Sequence, residues 1–280
     1  GGIAASEEAC ALSQAIDNTW GLAFSQMQVS PAFWRRGQFE RAIASQQRAI
    51  TQGRAAGFII AAVWCLGETA RVYCQLGQLE RALLLADQAI QEAGDDLNNV
   101  AHMPIYKAEV LTAMGRPDEA EAILKPAMLN ASVLSIFRIF LAGTWPSIRL
   151  AQGRWAEAAE AAQAQLELLR SYQIRLLVPE TQLALGQAYE QLGQMGPARA
   201  ALQTAQAEAE SMGIDWHLWQ ILAARAKLER ADGHPAEAEA FMAQSREIIQ
   251  RIADELSDPA LRASLLATAG VRAVLGQLAA

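Results

Sequence analysis

The chain has 280 residues, 52% of them hydrophobic, which is enough to build a large buried core. Its formal net charge of −7 disfavours direct binding to nucleic acid, because such binding depends on Lys and Arg side chains that neutralise phosphates. The apolar stretches are shorter than the roughly 20 residues that span a bilayer, so no membrane partner is expected. Ala and Leu supply most of the apolar residues and aromatic residues only 6%, which favours an all-α fold.

The cysteines and the start of the chain bear on its cellular compartment. Cys10, Cys65 and Cys74 are odd in number and include no CxxC pair, so they predict neither a disulfide framework nor a zinc site. The opening Gly1-Gly2-Ile3 shows no basic-then-apolar leader, and we expect an excised or processed fragment without a targeting signal. A reducing, cytoplasmic location is therefore predicted.

Residues 1–16 are the first predicted element. They form a single helix through Ala9, Leu12 and Ile16. We interpret this helix as the second helix of a truncated preceding repeat.

Between residues 17 and 256, one glycine recurs at intervals of 38 or 40 residues. These glycines are Gly37, Gly77, Gly115, Gly153, Gly193 and Gly233. The residues five positions after them are Ala42, Ala82, Ala120, Ala158, Ala198 and Ala238. Antiparallel helices joined by a tight turn approach closely only where side chains are small, and glycine closes such a turn. The pattern predicts six helix-turn-helix units over residues 17–256.

Prolines mark the remaining features of the predicted helices. Pro31, Pro126 and Pro146 fall inside them, where the ring should kink or interrupt a helix, so we expect irregular first helices in the first and fourth units. Asp258-Pro259 begins a last element, over residues 257–280. We expect a capping helix there, because the terminal repeat of a stack needs a cover for its apolar face.

The motif LGQAYEQLG at residues 185–193, with Ala198 and Ala205 beyond it, resembles the tetratricopeptide repeat. Residues 76–82 are similar, with Tyr73 at the aromatic position. The resemblance extends over the six units and implies a right-handed α-solenoid of antiparallel helix pairs. The units are longer than the usual 34 residues, as in the C-terminal repeat regions of bacterial signalling ATPases, nucleotide cyclases and transcription activators.

Two positions depart from the repeat, and no catalytic motif accompanies it. Arg149 and Glu229 stand where the family prefers an aromatic residue. The sequence contains no GxxxxGK[ST], HExxH or GxSxG motif and no GxGxxG after a strand. His102, His217 and His234 lie in different units without other ligands at metal-binding spacing. We therefore expect no enzymatic activity, no cofactor and no metal.

A solenoid of this type offers a concave surface, lined by the first helix of each unit and suited to an extended peptide or a helix. Counting back three, six and thirteen positions from the turn glycines, and adding two neighbours, gives the candidate binding residues. They are Trp34, Trp64, Glu68, Arg71, His102, Tyr106, Glu109, Phe140, Gln187, Glu190, Lys227 and Arg230. For Trp64 and Phe140, a place in the core is an equal alternative.

The resemblance also implies a class of function. We expect a protein-protein interaction scaffold, the regulatory C-terminal repeat domain of a larger bacterial signalling or transcription-regulatory protein. Its partner would be a protein or a peptide, including other domains of the same full-length chain. The alternative is a small-ligand sensor that binds an effector on the concave face, because activators with long repeats recognise sugars there.

Overall fold

The computed structural model describes residues 2–94, 103–129 and 135–276. These residues form fifteen helices and no strand, which confirms the predicted all-α class. The helices are α1 (Gly2–Ala15), α2 (Thr19–Arg35), α3 (Phe39–Ala55), α4 (Ile59–Gln75), α5 (Leu79–Ala93), α6 (Pro104–Ala113), α7 (Pro117–Leu129), α8 (Ser135–Ala151), α9 (Trp155–Ser171), α10 (Val178–Gln191), α11 (Met195–Met212), α12 (Asp215–Ala231), α13 (Pro235–Asp254), α14 (Pro259–Ala267) and α15 (Ala269–Val274).

The chain divides into two compact units, residues 1–138 and residues 139–280, and the division falls within α8. In the first unit, α2 packs on α3, α4 on α5 and α6 on α7, and α4 contacts both α2 and α6. In the second unit, α10 packs on α11 and α12 on α13, and α10 also contacts α12. Helices therefore pack in sequential pairs, and the first helices of successive pairs are neighbours.

The turn inside each pair has the same backbone structure. Each turn glycine named above has a positive φ, between 71° at Gly153 and 82° at Gly233. The residue after the glycine donates its N–H to the carbonyl five positions earlier, as Gln38 does to Phe33 at 3.0 Å and Gln78 to Tyr73 at 2.9 Å. This is the Schellman ending, which needs a left-handed residue that glycine adopts without steric cost.

Small residues lie where the paired helices cross. All six alanines five positions after the turn glycines are fully buried, as predicted from the sequence. At Gly186 in α10, an added Cβ would lie 2.7 Å from Leu202 Cγ of α11. These contacts show that the small side chains set the distance between the two helices of a pair.

The prolines and the end of the chain differ from expectation. Helices α2, α7 and α8 continue past Pro31, Pro126 and Pro146, so these prolines do not interrupt the helices; the alternative, a kink, stays a prediction. Packing against α3 and α4 holds α2 in place although Pro31 lacks an N–H donor. Where one capping helix was expected, residues 257–276, the described part of this segment, form two short helices, α14 and α15, because Thr268 between them is extended at ψ 142°. In the described part of the chain, no helix is long and apolar enough to cross a membrane.

Candidate functional site

Five of the predicted binding residues meet in the first unit, where they come from three successive first helices. Glu68 of α4 is their centre: its Oε2 accepts a hydrogen bond from Trp34 Nε1 of α2 at 3.1 Å. Its Oε1 accepts from Tyr106 Oη of α6 at 2.9 Å and from Arg71 Nη1 at 2.6 Å. Arg71 also donates two parallel hydrogen bonds to the carboxylate of Glu109 on α6, from Nε at 2.8 Å and from Nη2 at 2.7 Å. We call these five residues the Glu68 cluster.

The Glu68 cluster is buried, and the electrostatic interactions among its side chains are therefore strong. Trp34, Glu68 and Tyr106 are each at most 3% exposed. Burial opposes the charge on Arg71, yet Glu109 and Glu68 raise the pKa of its guanidinium well above the usual value. Burial, and then the charge of Glu68, raises the pKa of the Tyr106 hydroxyl well above its usual value. Arg71 is therefore ionised and the Tyr106 hydroxyl remains a donor at any physiological pH.

The local sequence allows this cluster to form. Gly67 precedes Glu68 on α4, and the Tyr106 ring occupies the space that a side chain there would fill: an added Cβ would lie 2.2 Å from Cδ2 of that ring. With no side chain at Gly67, the ring lies directly against α4 and its hydroxyl reaches the Glu68 carboxylate. Gly67 is thus a required part of the cluster that the register of turn glycines did not reveal.

The repeat explains which residues meet. Arg71 and Glu109 stand six positions before their turn glycines, Glu68 and Tyr106 nine positions before theirs, and the partners of each pair are 38 residues apart. Equivalent positions on neighbouring first helices are thus in contact. Trp34 and Tyr106, predicted to line an open surface, are buried between helices instead, because adjacent first helices cover that part of each other.

The other candidates are distributed over both units. Trp64 is half-buried against the core of the first unit, and Phe140 is half-buried beside Ile139 in the second. In the second unit, Lys227 Nζ of α12 lies 2.8 Å from Glu190 Oε1 of α10, again linking two first helices. The remaining candidates of this unit are the half-buried Gln187 and the exposed Arg230. His102 lies outside the described residues.

A set of contacts within the pairs was missed by sequence reasoning. In the first and second pairs, the residue four positions before the turn glycine contacts the residue four positions after it. The guanidinium of Arg41 stacks on Phe33 at 4.2 Å, and that of Arg81 on Tyr73 at 3.8 Å. The fourth pair has an ion pair in place of this ring contact.

There, Arg149 occupies the aromatic position, and Glu157, at the equivalent of the stacking arginine, lies 3.4 Å from its Nε. The joint change of both residues was the readable signal, because an arginine in place of the ring can pair with a carboxylate in place of the stacking arginine. Arg149 also stacks on Trp145 of its own helix, at 4.6 Å.

Glu229, the second departure from the repeat, is also buried and paired. Arg199 of α11 reaches both of its carboxylate oxygens, at 3.0 and 3.3 Å, and His234 Nδ1 lies 3.0 Å from its Oε2. The Arg199 hydrogen bond, followed by that of His234, lowers the pKa of Glu229 although burial opposes this. The hydrogen bond to Glu229 in turn raises the pKa of His234. We call Glu229, Arg199 and His234 the Glu229 network.

The geometry of the Glu229 network raises the question of a metal ion. Ligand atoms of Glu229, His234 and Glu237 lie within 4.8 Å of one another. A divalent cation there would have to share the Glu229 carboxylate with the Arg199 guanidinium, and the two positive charges would repel each other at a few ångströms. The arrangement is therefore interpreted as an ion-pair network at the turn between α12 and α13.

Comparison with known proteins agrees with this architecture. Residues 179–211 match the tetratricopeptide repeat family. The chain is similar to NprR in complex with its cognate peptide NprX, at 14% identity and a TM-score of 0.66 over 98% of this chain and 82% of that one. It is similar to Rap protein complexed with competence and sporulation factor, at 14% identity and a TM-score of 0.64 over 93% of this chain and 74% of that one.

A third similar structure belongs to a much longer protein. It is the signal transduction ATPase with numerous domains from Pyrococcus horikoshii, which carries a tetratricopeptide repeat sensor, at 16% identity and a TM-score of 0.53 over 92% of this chain and 40% of that one. No curated protein matches the chain. Identities this low show a shared fold. Residues 179–211 therefore match one tetratricopeptide repeat, and the described helix pairs share the fold of tetratricopeptide repeat solenoids.

Proposed function

We propose that the protein binds a protein or peptide segment on the surface of its first helices. The observation that carries the proposal is the row formed by Trp64, Arg71 and Glu109 in the first unit. Trp64 and Arg71 are seven residues apart on α4 and therefore share a face, and Glu109 joins them from α6 through Arg71. All three are only partly buried, whereas the rest of the Glu68 cluster is covered.

Such a row has the properties of a recognition surface. A half-buried indole offers apolar area, and aromatic and arginine side chains supply most of the binding energy in protein interfaces. Arg71 is held by Glu68 and Glu109, so that its orientation is fixed before a partner arrives and little entropy is lost on binding. In the second unit, Lys227 is exposed, and its ammonium group pairs with Glu190 but has further N–H donors that an acidic group of a partner can reach.

The similar structures support this kind of partner and this kind of context. NprR is in complex with a peptide, and Rap with a factor, on folds similar to this one. The chain matches 40% of the length of the signal transduction ATPase, which fits our proposal that it serves as the regulatory C-terminal repeat domain of a larger bacterial signalling or transcription-regulatory protein in the cytoplasm. Its task would be to bind and not to catalyse.

A small-ligand sensor is the second candidate. One observation favours it, namely that the repeat region of the similar Pyrococcus horikoshii protein is described as a sensor. A sensor would hold its effector among the same first-helix side chains, so the two candidates differ in the size of the bound molecule and not in the surface used.

The test needs a partner and two pairs of substitutions. A partner captured by the 280-residue protein, or a peptide selected from a random library, is titrated against Trp64→Ala and Lys227→Glu. Controls are Glu80→Ala and Glu160→Ala, which alter exposed residues on the second helices α5 and α9. We expect one first-helix variant to weaken binding by about tenfold or more while both controls bind normally. If all four proteins keep the parental helical content and bind with equal affinity, the first-helix surface is not the binding surface.

A further inference from the structure

Arg71 is the cation in the row of Trp64, Arg71 and Glu109, and its hydrogen-bond donors are only partly used. A guanidinium group has five N–H donors. Three of them bind carboxylates, because Nε and Nη2 donate to Glu109 and Nη1 donates to Glu68. The other two, one on Nη1 and one on Nη2, have no acceptor among the residues that the structure describes. Since 13% of the Arg71 side chain is exposed, a bound partner can supply these acceptors.

The positive charge of Arg71, in contrast, is already matched. Its Nη1 lies 2.6 Å from the Glu68 carboxylate and its Nη2 lies 2.7 Å from that of Glu109. Three carboxylates spaced evenly around a guanidinium plane each lie about 4 Å from its central carbon and about 7 Å from one another, so the two repulsions on a third carboxylate slightly exceed its attraction. An acidic group of a partner would therefore lose its hydration at Arg71 without gaining a favourable charge interaction.

The other cations of α2 and α6 offer an acidic group little compensation. Arg35 of α2 lies over the Trp34 ring at 4.2 Å, but it is only 5% exposed and donates to the Pro31 carbonyl of its own helix. Lys107 of α6 is paired with Asp87 of α5 at 2.6 Å. The net charge of −7 on the whole chain also disfavours the approach of an acidic segment.

We propose that the partner presents an uncharged carbonyl oxygen to Arg71 and that this surface of the first unit excludes acidic segments. The inference rests on the proposed function and adds the chemistry of the partner to it. A carbonyl oxygen of a peptide group or a side-chain amide accepts from the two remaining N–H donors and brings no third negative charge near Glu68 and Glu109. The half-buried Trp64 indole, on the same face of α4, then packs against an apolar side chain of the segment.

The exclusion of acidic groups is specific to the first unit. In the second unit, Lys227 is exposed and is paired with the carboxylate of Glu190 alone among the described residues. One carboxylate leaves a lysine able to attract a second one, whereas two carboxylates saturate the charge of Arg71.

Peptides selected from a random twelve-residue library for binding to the 280-residue protein are the probe. Those whose affinity falls about tenfold or more with Trp64→Ala bind at the first-unit surface. Each of these peptides is synthesised again with Asn, and separately with Asp, at every position in turn, because the two residues differ in charge and hardly in size. We expect Asp to weaken binding by about tenfold or more relative to Asn at one or two positions of each peptide.

The variant Glu109→Gln tests whether the carboxylates are the cause. It removes one negative charge and keeps the size of the side chain, while Glu68 still holds Arg71. The preference for Asn over Asp should then fall below about threefold or reverse. Glu160→Gln, the same change at an exposed position of α9, should leave the preference as it is in the parent. The scan on the parent protein decides by itself whether acidic groups are excluded, even if Glu109→Gln fails to fold.

Two results would overturn this proposal and leave the proposed function standing. One is that the first-unit peptides bind equally well or better with Asp at every position. The other is a preference for Asn that Glu109→Gln leaves unchanged at parental helical content and melting temperature. If no selected peptide is weakened by Trp64→Ala, the first-unit surface is not a binding surface, and the proposed function fails there together with this inference.

Discussion

Single residues decide whether neighbouring first helices can come together. Gly67 has no side chain, and the space beside it is filled by the Tyr106 ring of the next first helix. The hydroxyl of that ring donates a hydrogen bond to the Glu68 carboxylate, which also accepts from Trp34 and Arg71. One glycine thus controls both the approach of α6 to α4 and the hydrogen bonding of a buried carboxylate.

Gly67→Ala should destabilise the protein by about 1–3 kcal/mol, because the new methyl group would overlap the Tyr106 ring and force it away from Glu68. The free energy of unfolding from urea titrations measures this loss. In a Tyr106→Ala background the same change should cost nothing, so a double-mutant cycle should show a strong coupling between the two positions. Additive effects of the two substitutions would contradict the proposed contact.

Gly196→Ala is the matched control. Gly196 also lies in a helix, α11, but an added Cβ would meet no heavy atom of the described residues within 4 Å. Here the methyl group should leave stability unchanged or raise it by up to about 1 kcal/mol, because alanine has the higher helix propensity.

Glu68→Ala should be the most damaging substitution in the first unit, at about 3–5 kcal/mol, because it leaves Arg71 with half of its counter-charge and strips Trp34 and Tyr106 of their acceptor. Glu160→Ala, on the exposed face of α9, should change stability by less than about 0.5 kcal/mol. The measurement is again the free energy of unfolding. A loss below about 1 kcal/mol for Glu68→Ala would mean that the cluster contributes little to folding.

At the scale of the element, the sequence predicted the helix pair well and its surface poorly. The register of glycine and alanine is a property of one pair, and Ala42 and Ala82 are buried where it predicts. Which side chains of a first helix stay exposed depends on the neighbouring pairs, because these pairs cover each first helix on two sides. Periodicity along one helix therefore could not tell the covered Trp34 from the half-exposed Trp64.

The turn between α12 and α13 should make stability depend on pH. Glu229 raises the pKa of His234, so the pair stabilises the fold fully below the pKa of an unfolded histidine, about 6.5, and loses this contribution as the pH rises through the folded value. The difference in melting temperature between the parent and His234→Gln should be largest at about pH 6 and shrink at higher pH. A difference that does not change between those conditions would show that His234 is not charged against Glu229.

At the scale of the whole molecule, each described hydrophobic cluster belongs to one unit. The cluster around Ala62, Leu66 and Tyr106 lies in the first unit, and those around Ala162 and Leu202 in the second. The sequence could predict a stack of pairs from its repeat, but a division inside α8 has no counterpart in the glycine register. In repeat proteins stability is a sum of local and nearest-neighbour contributions, so a local change should stay local.

Hydrogen exchange followed by mass spectrometry tests this locality with two reciprocal variants. Gly67→Ala should accelerate exchange in α4 and α6 of the first unit by about 5- to 150-fold, which corresponds to the loss of 1–3 kcal/mol, and leave α10 to α13 unchanged. Gly186→Ala, whose Cβ would lie 2.7 Å from Leu202, should accelerate exchange in α10 and α11 and leave the first unit unchanged. Equal acceleration throughout the chain in either variant would show instead that both units open in a single cooperative step, because only a global transition exposes amides far from the substituted residue.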